Sequence, residues 1–291
     1  MTSVSPALDK STVHLNIWGF GARHKIFCVA TVLLFTLIVV AVLAPWLAPY
    51  DPQKLNFAHK LRPPSFEHLF GTDSLGHDIF SQVLAGASLS LMIATGIVAA
   101  SIIIGTPLGA ISGYYGGWVD HAVMRVCDMF LAFPPLLLPI AISAALGPSI
   151  PNMICAIASS WFPWYARIAR AAMMRTRNEL YVSAAKSMGL SDLTILVRHC
   201  LPNSLTPIVV QGAIDFGAAI LTAASLSFVG VGARPPAIEW GLMVSLSKAT
   251  FLDHWWTATF PGLAIAVTVL LINLFADGLR DILDPRHSES S

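Results

Sequence analysis

The chain has 291 residues, of which 55% are hydrophobic and only 11% are charged. Because soluble domains carry about 25% charged residues, this chain has too few charges to cover a water-facing surface, and lipid is its natural solvent. The net charge of +1 argues against nucleic-acid binding, which would require a basic stripe, so we expect no nucleic-acid partner. The composition therefore predicts an integral membrane protein.

Six stretches are long and apolar enough to cross a bilayer, which requires about 20 residues each. They cover residues 26–48, 86–111, 121–146, 150–170, 207–231 and 259–277. The first stretch is too long for the apolar region of a signal peptide, and we interpret it as a retained anchor. The sequence predicts an all-α polytopic membrane protein with a transmembrane domain over residues 26–280 and tails over residues 1–25 and 281–291.

The distribution of Lys and Arg between the loops predicts the orientation of these spans. Most of the 17 Lys and Arg residues fall on the same side as the N-terminus, which indicates that both termini are cytoplasmic. The segments 49–84 and 232–258 are then outside the membrane, and the loop 171–206 is cytoplasmic. We therefore expect the protein in the cell inner membrane, with these three pieces outside the lipid.

The 171–206 loop contains a helical pattern in which one face is formed by Tyr181, Ala184, Ala185 and Met188. Gly189 is a natural C-terminal cap, and Ser191 can cap a second helix, which we expect Leu201-Pro202 to close. Two alanines keep the first helix's face small, and such a face suits insertion into a groove on a partner. The pattern alone is equally typical of an amphipathic loop resting on the membrane surface.

The run Ser183-Ala184-Ala185-x3-Gly189-x9-His199-x-Leu201-Pro202 resembles the "EAA" loop of ABC-importer permeases. Ser183 stands where that family usually has glutamate, and His199 where it usually has an apolar residue. The resemblance implies that this loop is the coupling helix that docks onto an ATPase subunit. The coupling residues it implies are Tyr181, Ser183, Ala184, Ala185, Met188, Gly189, Leu201 and Pro202.

Further motifs resemble the dipeptide/oligopeptide/nickel branch of these permeases, and in particular its second, C-type subunit. They are Gly71-Thr72-Asp73-x-x-Gly76-x-Asp78, Arg125-x-x-Asp128 with Pro134, the 226–232 run with Glu239-Trp240-Gly241, and the 273–285 ending. The chain departs from the family pattern at His77, Gln82 and Ala276. The resemblance implies a type I ABC importer permease fold.

The same resemblance implies partners and a class of cargo. The partners are a second permease, two ATPase subunits and a substrate-binding protein outside the membrane. Di- and oligopeptides are the default cargo of the branch, and nickel or another metal chelate, glutathione and opines stay open as alternatives.

No sequence motif for catalysis is present. The chain lacks a Gly-x-x-x-x-Gly-Lys-[Ser/Thr] phosphate-binding loop, a His-Glu-x-x-His helix and a Gly-x-Ser-x-Gly elbow. We therefore expect a transport subunit without enzymatic activity or cofactor. Two rival hypotheses are an intramembrane aspartyl protease using Asp128 and Asp215, and an ion-coupled transporter, which would require an inverted repeat that the sequence does not display.

Charged residues inside a bilayer are costly, so those in the spans are candidates for function. Arg125 and Asp128 are three residues apart on a predicted helix, a spacing that lets them pair. Asp215 lies about two turns into its span, where it either accepts hydrogen bonds from neighbouring helices or faces the translocation path. We expect Gly105, Gly109 and Gly113 to permit close helix packing, within the chain or against a partner.

Neither the histidines nor the cysteines have the spacing of a metal site. The three histidines of the 49–84 segment are His59, His68 and His77, which follow one another at intervals of nine residues. Such intervals impose no shared face, so we expect no metal site. The four cysteines, Cys28, Cys127, Cys155 and Cys200, contain no Cys-x-x-Cys pair, which argues against a disulfide framework or a zinc site.

Overall fold

Ten helices run through residues 25–283, the part of the chain that the computed structural model describes. They are α1 (Lys25–Leu47), α2 (Ile79–Tyr115), α3 (Gly117–Leu131), α4 (Leu137–Leu146), α5 (Ile150–Thr176), α6 (Leu180–Ser187), α7 (192–203), α8 (Leu205–Val229), α9 (Trp240–Leu246) and α10 (Trp256–Leu283). Short 3-10 turns form at Phe57–His59 and Ser247–Ala249. Residues 1–24 and 284–291, with nearly all of both expected tails, lie outside the described residues.

Four of these helices, α1, α2, α8 and α10, are long and apolar enough to cross a membrane. The predicted all-α polytopic fold is thereby confirmed. One expected span is wrong as a single helix, because residues 121–146 are divided between α3 and α4. The break contains Pro134 and Pro135, which have no N–H to donate and disfavour the α conformation of the residue before them.

The centre of the bundle is the packing of α2 against α5. A Cβ at Gly105, Gly109 or Gly113 would collide with the backbone carbonyl of Phe162, Ala166 or Arg170, respectively. The helix backbones are therefore in direct contact, as the small-residue spacing predicted, and the contact is within the chain. Residue numbers rise together along the two helices, so α2 and α5 run parallel.

The two ends of the bundle are structurally distinct. At 1.5 Å per residue, the 37 residues of α2 extend about 55 Å, well beyond a hydrocarbon core of about 30 Å. Residues 48–78 and 230–255, hereafter the cap, cover the end where α2 begins. The pair α6 and α7 with its turn, hereafter the hairpin, lies where α2 ends.

Candidate functional site

The hairpin turns where the sequence predicted a turn. Gly189 has a φ of +81°, a left-handed conformation that costs glycine little, and its N–H donates to the carbonyl of Lys186 at 3.0 Å. Ser191 then begins α7, its Oγ accepting from the N–H of Thr194 at 3.4 Å. Both predicted caps are confirmed.

The end of α7 differs from the prediction. Leu201 and Pro202 do not close the helix, because helical structure continues through Asn203 and resumes at Leu205 after a single turn residue. The stretch Ile195–Cys200 is π-helical. A π-turn widens the helix just before Pro202, whose ring would otherwise collide with the carbonyl four residues earlier.

The exposed face of α6 matches the predicted face at Tyr181, Ala184 and Met188 and differs from it at Ala185. Ala185 and Val182 are 2% and 3% exposed and pack inward on a cluster of Tyr114, Met173, Ile195, Leu196 and Cys200. The outward surface carries Leu180, Tyr181, Ala184 and Met188, together with Leu193 of α7. Of the two alanines expected to contact a partner, only Ala184 is available. Ser183 is also exposed.

The hairpin is attached to the end of α2 by directional contacts. The Tyr114 hydroxyl donates to Asp192 Oδ1 at 2.7 Å, and Arg177 Nη1 donates to the carbonyls of Gly113 and Tyr114 at 2.8 and 3.0 Å. Just after α7, Ser204 Oγ donates to Thr176 Oγ1 at the end of α5, at 3.2 Å. These contacts attach the hairpin and its flanking residues to the ends of α2 and α5.

An ion pair that the sequence analysis missed joins three helices next to the hairpin. Arg170 of α5 donates from Nε and Nη2 to the two carboxylate oxygens of Asp120 in α3, both at 2.5 Å. Ser112 of α2 donates to the same carboxylate at 2.5 Å. Bidentate pairing fixes both distance and orientation, so this contact sets how α3 meets the α2–α5 core. The two residues are 50 positions apart, and no local pattern in the sequence links them.

Of the three charged residues expected within spans, Arg125 and Asp128 have other surroundings than predicted. The expected pair of Arg125 with Asp128 is wrong, because Asp128 accepts from Arg167 Nη2 of α5 at 2.7 Å. Arg125 is exposed and makes no ion pair within residues 25–283. Asp215 accepts from Gln211 Nε2 at 2.9 Å. Asp128 and Asp215 make no hydrogen bond to each other, so the structure offers no shared proton for an aspartyl protease.

The sequence motif at residues 71–78 connects the cap to the start of α2. Gly76 has a φ of +83°, and a Cβ there would overlap the carbonyl of Asn56. Thr72 accepts from the N–H of Arg62 at 2.8 Å and donates to the carbonyl of His59. Asp78 caps α2 by accepting from the N–H of Ser81 at 2.8 Å. The motif therefore has a structural role.

The Glu239-Trp240-Gly241 motif binds the second part of the cap to the bundle. The buried Glu239 carboxylate accepts from the N–H groups of Gly241 and Leu242, both at 2.8 Å, and so begins α9. Trp240 Nε1 donates to the carbonyl of Val83 at 2.9 Å. Between the two parts of the cap lies a groove of about 390 Å³, whose wall includes Gln53, His77, Pro236 and Leu246.

The expectation that the cap histidines share no face is wrong for two of the three. His59 Nδ1 lies 3.1 Å from His68 Nε2, because the loop between them folds back on the 3-10 turn. His77 is separate, its Nδ1 lying 2.7 Å from Asp73 Oδ2. A nine-residue interval specifies nothing in an irregular segment, so only the tertiary fold could reveal this contact.

Four long apolar helices and a hairpin with exposed apolar side chains define a membrane-embedded helical bundle. Comparison with known proteins identifies the family of the chain. The chain belongs to the family described as "Binding-protein-dependent transport system inner membrane component", whose model matches residues 105–289. A second model, "N-terminal TM domain of oligopeptide transport permease C", matches residues 22–64. The protein is thus a permease subunit of an ABC importer, a transport component that works with separate ATPase subunits and a substrate-binding protein.

Curated relatives align along nearly the whole chain. The "Probable D,D-dipeptide transport system permease protein DdpC" of Escherichia coli is 44% identical, with 88% of this chain and 86% of the relative covered. The "Dipeptide transport system permease protein DppC" of Alkalihalophilus pseudofirmus is 44% identical, with 91% and 87% covered. The "Glutathione transport system permease protein GsiD" of Escherichia coli is 43% identical, with 98% and 94% covered.

A solved structure supports the fold. The chain superposes on an inward-facing structure of the MetNI methionine ABC transporter with a TM-score of 0.57 at 16% identity. The match covers 71% of this chain and 98% of the other. The expected type I ABC importer permease fold is thereby confirmed.

Proposed function

We propose that this chain forms half of the translocation pathway of an ATP-driven importer of di- and oligopeptides, and that the hairpin transmits ATPase movement to it. The observation that supports the role of the hairpin is the outward face of α6, where Leu180 is 87% exposed and Met188 is 73% exposed. Such apolar side chains in a protruding segment mark a docking surface, and a short amphipathic helix fits a groove on its partner.

The hairpin residues divide into two roles in this proposal. Tyr181, Ser183, Ala184 and Met188 contact the ATPase subunit, because their side chains face outward. The others shape the hairpin: Ala185 fixes α6 on its base, Gly189 makes the turn, and Leu201 with Pro202 continues α7 toward α8. The outward face of α6 is suited to transmit force, since the packing of Ala185 against the cluster around Tyr114 makes α6 move as one unit with α2.

A second, non-identical permease completes the pathway in this proposal. The exposed surface of α3 carries Arg125 and Asp128 within a predicted span. Placing a charged side chain in lipid costs several kcal/mol of free energy, unless the side chain contacts another protein surface or a water-filled cavity. Contact with a partner permease or exposure to a polar translocation path meets that requirement. The remaining apolar surface contacts membrane lipid.

Peptides are the proposed cargo because dipeptide, peptide and glutathione permeases are all among the relatives named at 43–44% identity. Glutathione is itself a modified tripeptide, so these names share one chemical class. The assembled importer, with its binding protein and ATPases in proteoliposomes, should take up labelled dipeptide only when ATP is supplied. Uptake of nickel or of an opine, with none of dipeptide or glutathione, would replace the peptide assignment.

The proposed orientation places the hairpin and both termini in the cytoplasm and the cap outside. We predict that a membrane-impermeant thiol reagent, added to cells with a permeabilised outer barrier, labels Phe66→Cys in the cap but spares Ser187→Cys in the hairpin. Both positions are exposed, so sidedness alone decides the result.

The labelling experiment needs a background without the four native cysteines. Cys155 is exposed and must be replaced. Cys200 is fully buried, and burial raises the pKa of its thiol, so little reactive thiolate is present there in any case. Labelling of Ser187→Cys but not of Phe66→Cys would reverse the orientation and remove the basis for placing the ATPase at the hairpin.

A further inference from the structure

We propose that the cap contains a binding site for one divalent transition-metal ion of the Zn²⁺ type, formed by His59, Glu67 and His68. The ligand atoms of these three residues all lie within 4.8 Å of one another. Two imidazoles and one carboxylate, with a fourth position open, are a donor set that Zn²⁺ accepts. All three ligands lie in the cap, and the site does not depend on peptides being the cargo proposed above.

The spacing of the donor atoms fits one shared ion. Two nitrogens bound to a tetrahedral Zn²⁺ at about 2.0–2.1 Å stand about 3.3 Å apart, and His59 Nδ1 and His68 Nε2 are separated by 3.1 Å. Glu67 Oε1 lies 3.8 Å from His59 Nδ1. An ion between the three atoms therefore requires side-chain adjustments of a few tenths of an ångström for the imidazoles and rotation of one exposed carboxylate.

Asp78 orients His68 for this role. Its carboxylate Oδ1 lies 2.9 Å from His68 Nδ1, and both side chains are almost fully buried. A carboxylate accepts the proton of Nδ1–H, which leaves the lone pair of Nε2 directed at His59. A carboxylate behind a histidine is the usual second partner of a metal-binding imidazole. Asp78 is itself fixed by Ser81, whose N–H and hydroxyl donate to Oδ2 at 2.8 and 2.7 Å.

The surroundings leave one side of the cluster accessible. The ring of Tyr50 lies against that of His68, with centroids 5.0 Å apart. Glu67 is 57% exposed, so an ion and a water ligand can approach from solvent. Arg62 Nη1 lies 4.0 Å from Glu67 Oε2, which leaves Oε1 available to the ion.

A bound ion would join the outer loop to the transmembrane core. His59 belongs to the 3-10 turn, and His68 is linked through Asp78 to the first residues of α2. Trp256 Nε1 of α10 donates to the carbonyl of Thr72 at 3.2 Å, and Thr72 donates to the carbonyl of His59. The ion therefore stabilises the cap at the point where it contacts both α2 and α10.

The test is metal binding to the full chain, purified in detergent through a tag without histidine and stripped with a chelator. Calorimetric titration with Zn²⁺ should show one ion per chain, and Co²⁺ should give the absorption of a tetrahedral complex. His59→Gln should weaken binding at least tenfold. Asp78→Asn, which keeps the capping oxygen, should weaken it about 10–100-fold. His77→Gln is the matched control and should bind as the unmodified chain does.

The thermal unfolding temperature supplies a second readout. Zn²⁺ should raise it in the unmodified chain and in His77→Gln, and leave it unchanged in His59→Gln, whose partly exposed side chain can be replaced without a buried cavity. Binding of equal strength in the unmodified chain and His59→Gln would overturn the proposal, as would the absence of any stoichiometric Zn²⁺ or Co²⁺ binding. In that case the two histidines form only a hydrogen bond.

Discussion

Replacement of Ala184 by Arg should abolish substrate uptake and substrate-stimulated ATP hydrolysis, while the chain still inserts and pairs with its partner permease. Ala184 lies on the outward face of α6 between Tyr181 and Met188. An Arg there adds bulk and an unpaired charge to a contact that we propose is apolar, at a cost of roughly 3–5 kcal/mol. Since 1.4 kcal/mol is a tenfold change, docking should weaken by at least 100-fold.

Two further variants separate docking from folding. Ala184→Ser keeps a small side chain and should retain near-normal uptake. Ala185→Arg should fail at an earlier step, with little assembled permease in the membrane, because Ala185 is 2% exposed and packs against the cluster around Tyr114. Assembly is measured by copurification of the partner subunits. Normal stimulated ATP hydrolysis in Ala184→Arg would show that the outward face of α6 does not contact the ATPase.

The contrast between these neighbouring alanines shows how far periodicity determines a surface. The sequence correctly predicted a short helix, a glycine turn and a second helix, because capping residues act locally. It did not determine which side of α6 faces inward. Val182 and Ala185 turn inward because Ile195 and Cys200 of α7 meet them there, and that partnership depends on the π-helical geometry of α7, which the sequence pattern did not indicate.

Long-range contacts mark the limit of the sequence-based predictions. Four of the six expected spans match helices that can cross a membrane, because apolar length is a local property. The Gly105–Gly113 packing was predicted because its four-residue period is local too. Asp128 was assigned to Arg125 on its own helix, whereas its partner is Arg167 on α5. The contact between His59 and His68 likewise depends on the folding of an irregular loop. Each missed contact joins elements whose relative placement only the assembled bundle defines.

Gly109→Ala should destabilise the chain, whereas the same substitution at Gly262 should not. A Cβ at Gly109 would overlap the carbonyl of Ala166 and lie 2.8 Å from the Cβ of Ala169, so α2 and α5 would have to separate. Overpacking of this kind costs about 1–3 kcal/mol. At Gly262 in α10 an added Cβ meets nothing within 4 Å. There the helix gains up to about 1 kcal/mol, because alanine restricts the unfolded chain and favours helix.

The opposite signs make this pair of substitutions a test of the α2–α5 contact itself. Thermal unfolding of the purified chain in one detergent should place Gly109→Ala below the unmodified protein and Gly262→Ala at or above it. Gly109→Leu should leave almost no folded protein, since its side chain cannot fit between touching backbones. Equal stability of Gly109→Ala and Gly262→Ala would mean that α2 and α5 are farther apart than described. The hairpin, attached to the end of α2 through the bond from Tyr114 to Asp192, would then lack the rigid support that transmission of ATPase movement requires.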